Sequence, residues 1–163
     1  MTSLRIKPSK SAAFHEAGHA VASIRVCKRI PPMVEIRGDG SGMTHGTGEA
    51  LRLVGQYDVW DELIYAMAGI YAQARAMKQS PVVAHFRGGL NDYVGARPFV
   101  QWLVEHGFAE SESAAFQRVH RETGYFIRKN WKAIERVATA LLERRRLDAN
   151  ELTSLIDTGT VTP

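Results

Sequence analysis

The segment His15-Glu16-Ala17-Gly18-His19 constrains the fold of this chain more than any other feature of the sequence. The apolar residues around it, between positions 12 and 24, recur at helical spacing, and Ser11 can act as an N-cap, so we expect an amphipathic helix. On a helix, positions four apart are separated by about 40° around the axis and about 6 Å along it. His15 and His19 therefore project together and can bind one metal ion.

Glu16 adds a catalytic element to this pattern. It lies beside His15, near enough to reach an open coordination position of the metal without being a ligand. A general base for metal-bound water must stand in this place, and zinc lowers the pKa of such water from about 15.7 to near 7. Ala17 and Gly18 leave room for close packing beside the metal. The pattern thus predicts His15 and His19 as Zn²⁺ ligands and Glu16 as the catalytic base.

A third protein ligand must come from elsewhere in the chain, because a catalytic zinc usually keeps three protein ligands and one open position. Spacing along the sequence does not choose among the possible donors. The candidates are Asp92, His85, Glu62, Asp61, His45 and His120. Asp92 ends the segment Gly88-Gly89-Leu90-Asn91-Asp92, which can deliver an acid at the start of a helix, although such an acid can equally be a helix cap. Two imidazoles and a carboxylate also suit iron, but the motif favours zinc.

The remainder of the chain predicts a mainly α fold with a small β-sheet (α+β). Short strands are expected at residues 33 to 37 and 42 to 45, and an irregular stretch from 81 to 89. Further helices are expected at residues 58 to 78, 91 to 105 with a kink near Pro98, 112 to 143 with a break near Gly124, and 148 to 156 with Asp148 as cap. We expect one zinc peptidase-like domain over residues 10 to 157, between tails at 1 to 9 and 158 to 163.

Composition excludes several other classes. The single cysteine, Cys27, cannot form an internal disulfide, and no secretory leader opens the sequence, so we expect a cytoplasmic protein. The longest uncharged apolar run, residues 63 to 72, is half of the roughly 20 residues that a membrane-spanning helix needs. The formal net charge is +4, but the basic residues are scattered and no nucleic-acid-binding motif is present. We therefore expect neither a membrane span nor a nucleic-acid partner.

Several segments resemble the peptidase domain of the FtsH-type ATP-dependent zinc metalloproteases. The similar segments are Phe14-His15-Glu16-Ala17-Gly18-His19-Ala20, Val34-Glu35-Ile36 with Gly42-Met43-Thr44, Met67-Ala68-Gly69-Ile70-Tyr71-Ala72, and Gly88-Gly89-Leu90-Asn91-Asp92 with Ala96. This resemblance covers residues 10 to 157. It implies a zincin-like HExxH helix in an FtsH-peptidase-like helical domain, Asp92 as the third zinc ligand, and an extended substrate bound at the edge of the small sheet.

Departures from the family pattern shape the expected function. The family tends to carry an acid where this chain has Gln73 and a threonine where it has Arg97. Family members also place an ATPase module and membrane helices before this domain, and we expect neither in residues 1 to 9. The sequence thus predicts a zinc metalloendopeptidase for peptides or unfolded protein segments, with a separate ATPase as a further partner. The alternative is a catalytically silent, zinc-containing module that binds peptides or a partner. The oligomeric state is not predicted.

Overall fold

The computed structural model describes residues 9–46 and 55–157, and within them the fold is mainly α with a small antiparallel sheet, as predicted. The helices are α1 (Lys10–Arg25), α2 (Gln56–Ala76), α3 (Pro81–Ala84), α4 (Leu90–Glu105), α5 (Glu112–Arg144) and α6 (Ala149–Asp157), with a π-helical turn at His85–Gly89. The strands are β1 (Met33–Ile36), β2 (Gly42–Thr44) and β3 (Arg146–Asp148). Residues 1 to 8 and 158 to 163 of the expected tails lie outside the described residues, and the single-domain division stays a prediction.

Helix α1 is the central element, because every residue from 12 to 23 is buried. It begins after Ser9, whose Oγ accepts a hydrogen bond of 3.3 Å from the backbone N–H of Ala12. The prediction of Ser11 as the N-cap was wrong. Both serines carry a hydroxyl that can cap a helix, and the apolar pattern that starts at Ala12 does not distinguish them. Where α1 crosses α2, a Cβ on Gly18 would lie 2.5 Å from the carbonyl oxygen of Ala68. The glycine thus permits the close packing that the sequence suggested.

The stretch from 81 to 89 is helical, and the expectation of an irregular segment was wrong. Ser80 caps α3 by accepting a hydrogen bond of 3.3 Å from the N–H of Val83, and Pro81 occupies the first helical position, where its missing N–H costs nothing. A Cβ on Gly89 would overlap Ile70 of α2. This glycine therefore serves a close helix–helix approach, although in the sequence it has the signature of a turn.

Helix α5 continues for 33 residues without the break that we expected near Gly124. Thr123 and Ile127 are buried on either side of this glycine, and such packing outweighs the cost of about 1 kcal/mol that a mid-helix glycine carries relative to alanine. The helix ends at Arg144, and its C-cap, Arg145, has a left-handed φ of 65°. Asp148 caps α6 as predicted, since its Oδ1 accepts a hydrogen bond of 2.9 Å from the N–H of Glu151.

The sheet has the strand order β2-β1-β3, with both pairs antiparallel. Val34 of β1 lies opposite Thr44 of β2 on one side and Leu147 of β3 on the other. Strand β3 was not predicted, because three residues with a single apolar side chain show no alternation. Strand β2 is an edge strand, so one row of its backbone groups has no strand partner among the described residues. None of the described helices is long and apolar enough to cross a membrane.

Candidate active site

Helix α1 presents three buried polar side chains, with two histidines on the side of α2 and α4 and a glutamate beside β2. His15, Glu16 and His19 are only 9%, 7% and 6% exposed. The helical spacing of four residues brings the two histidine side chains together, with their Nε2 atoms 3.1 Å apart. The pair that the sequence predicted is therefore formed in the fold.

Asp92, in the first turn of α4, completes this group. Its Oδ2 lies 2.9 Å from Nε2 of His15 and 3.5 Å from Nε2 of His19. Each of the three side chains offers one possible metal-ligand atom, and these atoms lie within 4.8 Å of one another. Helix α4 can deliver the aspartate because α3, the π-helical turn and α4 follow one another without an intervening loop.

The other ring nitrogen of each histidine has a hydrogen-bond partner of its own. Nδ1 of His15 donates to Oε1 of Gln73 over 3.0 Å, and Nδ1 of His19 donates to the backbone carbonyl of Tyr65 over 2.9 Å. Since both partners are acceptors, each Nδ1 carries a hydrogen, and the neutral imidazoles leave their Nε2 lone pairs facing the aspartate. Such outer contacts fix the tautomer and orientation that a metal ligand requires.

The Nε2 atoms of His15 and His19 and Oδ2 of Asp92 thus form a buried cluster of three hydrogen-bond acceptors. Oδ2 of Asp92 is buried, and the two imidazole Nε2 atoms close to it carry no hydrogen in these neutral forms, so neither donates to it unless the ring gains a proton. Acceptors at these distances repel one another unless a cation lies between them. In a tetrahedral zinc site with bonds of 2.0–2.1 Å, ligand atoms are about 3.3 Å apart. The three observed separations, 3.1, 2.9 and 3.5 Å, bracket this value, so the residues present fit a zinc ion.

The pKa values of the group also show how strongly it attracts positive charge. Burial alone would lower the pKa of His19, but the hydrogen bond and charge of Asp92, together with the charge of Glu16, raise it to about 9. Burial alone would raise the pKa of Asp92, but the contacts with His15 and His19 hold it well below its usual range. In the absence of a metal, a proton bound within this group supplies the positive charge that stabilises the three side chains.

The carboxylate of Glu16 lies beside this group, at the wall of a cavity of about 400 Å³. The hydroxyl of Thr44 is 2.9 Å from Oε2 of Glu16 and 3.2 Å from the glutamate's backbone carbonyl. Four elements form the cavity, namely α1, the edge strand β2 and the facing sides of α2 and α4. Its lining residues are His15, Glu16, His19, Gly42, Met43, Thr44, Glu62, Tyr65, Ala66, Asn91, Asp92, Gly95 and Phe99. Glu16, the three possible metal ligands and the edge strand β2 thus line the same cavity.

No protein-family model matches the chain. Among curated proteins, the chain is 28% identical, over an alignment of 171 positions, to a protein named ATP-dependent zinc metalloprotease FtsH 1, from Symbiobacterium thermophilum. This alignment covers 90% of the chain but spans only 28% of that protein's length. The similarity is weak, yet it extends along nearly the whole of the present chain, and it supports a distant relationship to part of an FtsH metalloprotease.

Of the six candidates for the third ligand, the described structure brings only Asp92 into the histidine group. Glu62 lines the same cavity but forms an ion pair of 2.5 Å with Arg29. His120 shares a hydrogen bond of 2.7 Å with the hydroxyl of Tyr71, on another face of α2.

The other three candidates for the third ligand also lie outside the histidine group. His45 lies 3.5 Å from Glu35 at the end of β2, and His85 packs edge-on against Tyr93. Asp61 lines a surface groove beside α5. The assignment of Asp92 as a ligand, rather than only as a neighbour of the histidines, remains part of the proposal below.

Sequence reasoning did not assign a role to Gln73, Thr44 or Gly69. Gln73 is 2% exposed and was noted only as a departure from the family pattern, although it orients His15. Thr44 was noted only as part of a strand. Gly69 packs against the imidazole of His19. The sequence could have indicated this contact, because a glycine inside a helix costs about 1 kcal/mol and often marks a close approach of another group.

Proposed function

We propose that this chain is a zinc metallopeptidase in which His15, His19 and Asp92 hold the metal and Glu16 is the general base. The observation that carries this proposal is the convergence of two Nε2 atoms and one carboxylate oxygen, with each Nδ1 already bound to an acceptor. A closed structural zinc site would need a fourth protein ligand and would have no use for an adjacent carboxylate. The weak similarity to an FtsH metalloprotease points to the same chemistry.

Zinc, when bound, supplies a Lewis acid that acidifies a water molecule and polarises the peptide carbonyl. The chain's own residues do the rest. Glu16 accepts the proton from the attacking water and passes it to the leaving amine, since its carboxylate lies in the cavity wall beside the histidines. Gln73 and the Tyr65 carbonyl keep the two imidazoles oriented during this exchange.

The edge of β2 is the proposed binding place for the substrate. Gly42, Met43 and Thr44 all line the cavity, and the edge of this strand that has no strand partner in the described part of the chain can pair with an extended peptide through backbone hydrogen bonds. Such pairing tolerates many side chains but requires an unfolded segment. We therefore propose that the substrates are peptides or unfolded protein segments, and that folded proteins need a separate ATPase to supply them. The single thiol, Cys27, fits action in the reducing cytoplasm.

Cleavage of casein by the zinc-loaded chain, beside Glu16→Gln at equal zinc content, tests this proposal. We expect the wild type to cleave and the variant to lose at least about a hundredfold in rate, since general-base catalysis contributes about 10²–10⁴-fold. Zinc content is measured in both proteins, so that loss of metal is not mistaken for loss of the base. A fully zinc-loaded wild type that cleaves neither casein nor a peptide library would refute the proposal and favour a silent peptide-binding module.

A further inference from the structure

Glu16 is held by the edge strand β2 as well as by its own helix. A Cβ on Gly42 would lie 2.5 Å from Cγ and 2.8 Å from Oε1 of Glu16, so the glutamate side chain lies directly against this glycine. Two residues along the strand, the hydroxyl of Thr44 is 2.9 Å from Oε2. Residues two apart on a strand share a face, so both contacts come from the same side of β2.

The hydroxyl of Thr44 has only one hydrogen to donate, and two oxygens of Glu16 lie near it. The carboxylate oxygen is the closer, at 2.9 Å against 3.2 Å for the backbone carbonyl, and a charged acceptor forms the stronger bond. The hydroxyl therefore donates to Oε2. This bond leaves Oε1, on the Gly42 side, as the oxygen without a side-chain donor among the described residues.

We infer that Thr44 is a positioning residue that aims the carboxylate of Glu16, and that β2 couples the binding of substrate to the placement of the base. This inference rests on the proposed peptidase function. One edge of β2 has no strand partner among the described residues, and two residues of the same strand, Gly42 and Thr44, contact Glu16. A peptide that pairs with this edge therefore immobilises the strand that fixes the carboxylate. Gly42 is required because any side chain there would displace Glu16 from the cavity wall.

Cleavage by Thr44→Val and Thr44→Ser, in zinc-loaded protein, tests this role. Valine has nearly the shape of threonine but no hydroxyl, whereas serine keeps the donor. We expect Thr44→Val to lower kcat about tenfold with KM changed less than about twofold, and Thr44→Ser to retain most of the activity, because misplacing a catalytic group by a fraction of an ångström is costly. Thr153→Val is the matched control, since the hydroxyl of Thr153 donates to the backbone carbonyl of Ala149 within α6, and the variant should behave as the wild type.

Crystal structures of the zinc-loaded wild type, Thr44→Val and Gly42→Ala provide a readout that does not depend on turnover. The inference predicts a displaced or disordered Glu16 carboxylate in both variants, with the histidine positions unchanged. A wild type without activity would overturn the proposed function, while these structures would still decide the placement of Glu16. An unchanged carboxylate in Thr44→Val, or a Thr44→Val protein with the wild-type kcat, would overturn the inference and leave the peptidase function intact.

Discussion

Gly69 of α2 packs directly against the imidazole of His19, so that a Cβ built on the glycine would overlap Nε2. The same atom would lie 2.8 Å from Nε2 of His15. The glycine therefore keeps open the space on which the proposed ligand atoms converge. Alanine is the smallest residue that would fill this space, and it would also be the better helix former.

Gly69→Ala is expected to abolish zinc binding while leaving the helix content unchanged. The added methyl group would force both imidazoles away, although alanine gains about 1 kcal/mol of helix propensity. Zinc content by mass spectrometry and helix content by circular dichroism measure the two effects. Gly95→Ala is the matched control, because a Cβ there meets nothing within 4 Å. Wild-type zinc affinity in Gly69→Ala would contradict the proposed position of the metal.

Substitutions of Gln73 should change zinc affinity in opposite directions. Gln73→Leu removes the acceptor for Nδ1 of His15 and should weaken zinc binding by about 10–100-fold, the usual effect of losing such a partner. Gln73→Glu should strengthen it, since a carboxylate makes the imidazole a better donor to the metal. Without zinc, the glutamate variant should unfold at a lower temperature than the wild type, because residue 73 is 2% exposed and the new charge is buried. Competition with a chromophoric chelator measures the affinity, and equal values for both variants would show that Gln73 does not act through His15.

Zinc binding near pH 7.5 should release about one proton. The pKa of His19 is raised to about 9 because the hydrogen bond and charge of Asp92 outweigh the opposing effect of burial, so the metal-free imidazole is protonated at this pH and must lose the proton to bind zinc. The release should disappear well above pH 9. Titration calorimetry in buffers of different ionisation enthalpy counts the protons, and an enthalpy independent of the buffer would contradict the prediction.

The same raised pKa predicts the stability of the metal-free protein. A group with a pKa above its unfolded value stabilises the fold fully below that unfolded value, here about 6.5, and the stabilisation is lost as the pH rises through about 9. Denaturant unfolding of the metal-free chain should therefore show a free energy of unfolding that falls between these two values. Saturating zinc should remove this decline, because the metal replaces the proton.

Cys27 should be nearly inert towards thiol reagents in the folded protein. Burial is the main cause that raises the pKa of its thiol from 9.0 to about 12, so very little thiolate exists at pH 8. Modification by a chromogenic disulfide should be at least about a hundredfold slower than in denaturant. The linked stabilisation is present below pH 9 and is lost between pH 9 and about 12. Equal rates in folded and denatured protein would show that the thiol is accessible.

Local rules predicted the parts of the site that depend on one helix. The spacing of His15 and His19 and the place of Glu16 between them follow from helix geometry alone, and the structure brings the two histidines together. Asp92 was one of six candidates. Its place after a glycine-rich segment made it attractive, but only the resemblance to a family implied that it is the third ligand. The approach of Asp92 to the histidines depends on the continuous run of helix from Pro81. The sequence did not predict this run, because Gly88-Gly89 has the pattern of a turn. Gly89 instead packs against Ile70, which lies in a distant part of the chain.

The other misjudged elements have the same physical origin. Gly124 does not interrupt α5 because Thr123 and Ile127, before and after it, are buried, and a local propensity of about 1 kcal/mol does not outweigh such packing. Strand β3 exists because β1 offers it a partner more than 100 positions away in the chain, and nothing within its three residues signals this. Contacts of this kind are set by the whole fold.

The pairing of β3 with β1 has a consequence for the order in which the site matures during synthesis. Residues 146 to 148 emerge from the ribosome after every proposed ligand and the base, yet they form the outer support of β1, on whose other side β2 holds Glu16. A nascent chain that ends before Arg146 therefore contains the histidines but lacks β3, the strand that pairs with β1. Strand β1 in turn pairs with β2, which positions the carboxylate of Glu16. Domains fold as their segments become available, so cleavage should begin only after residues 146 to 148 have been made.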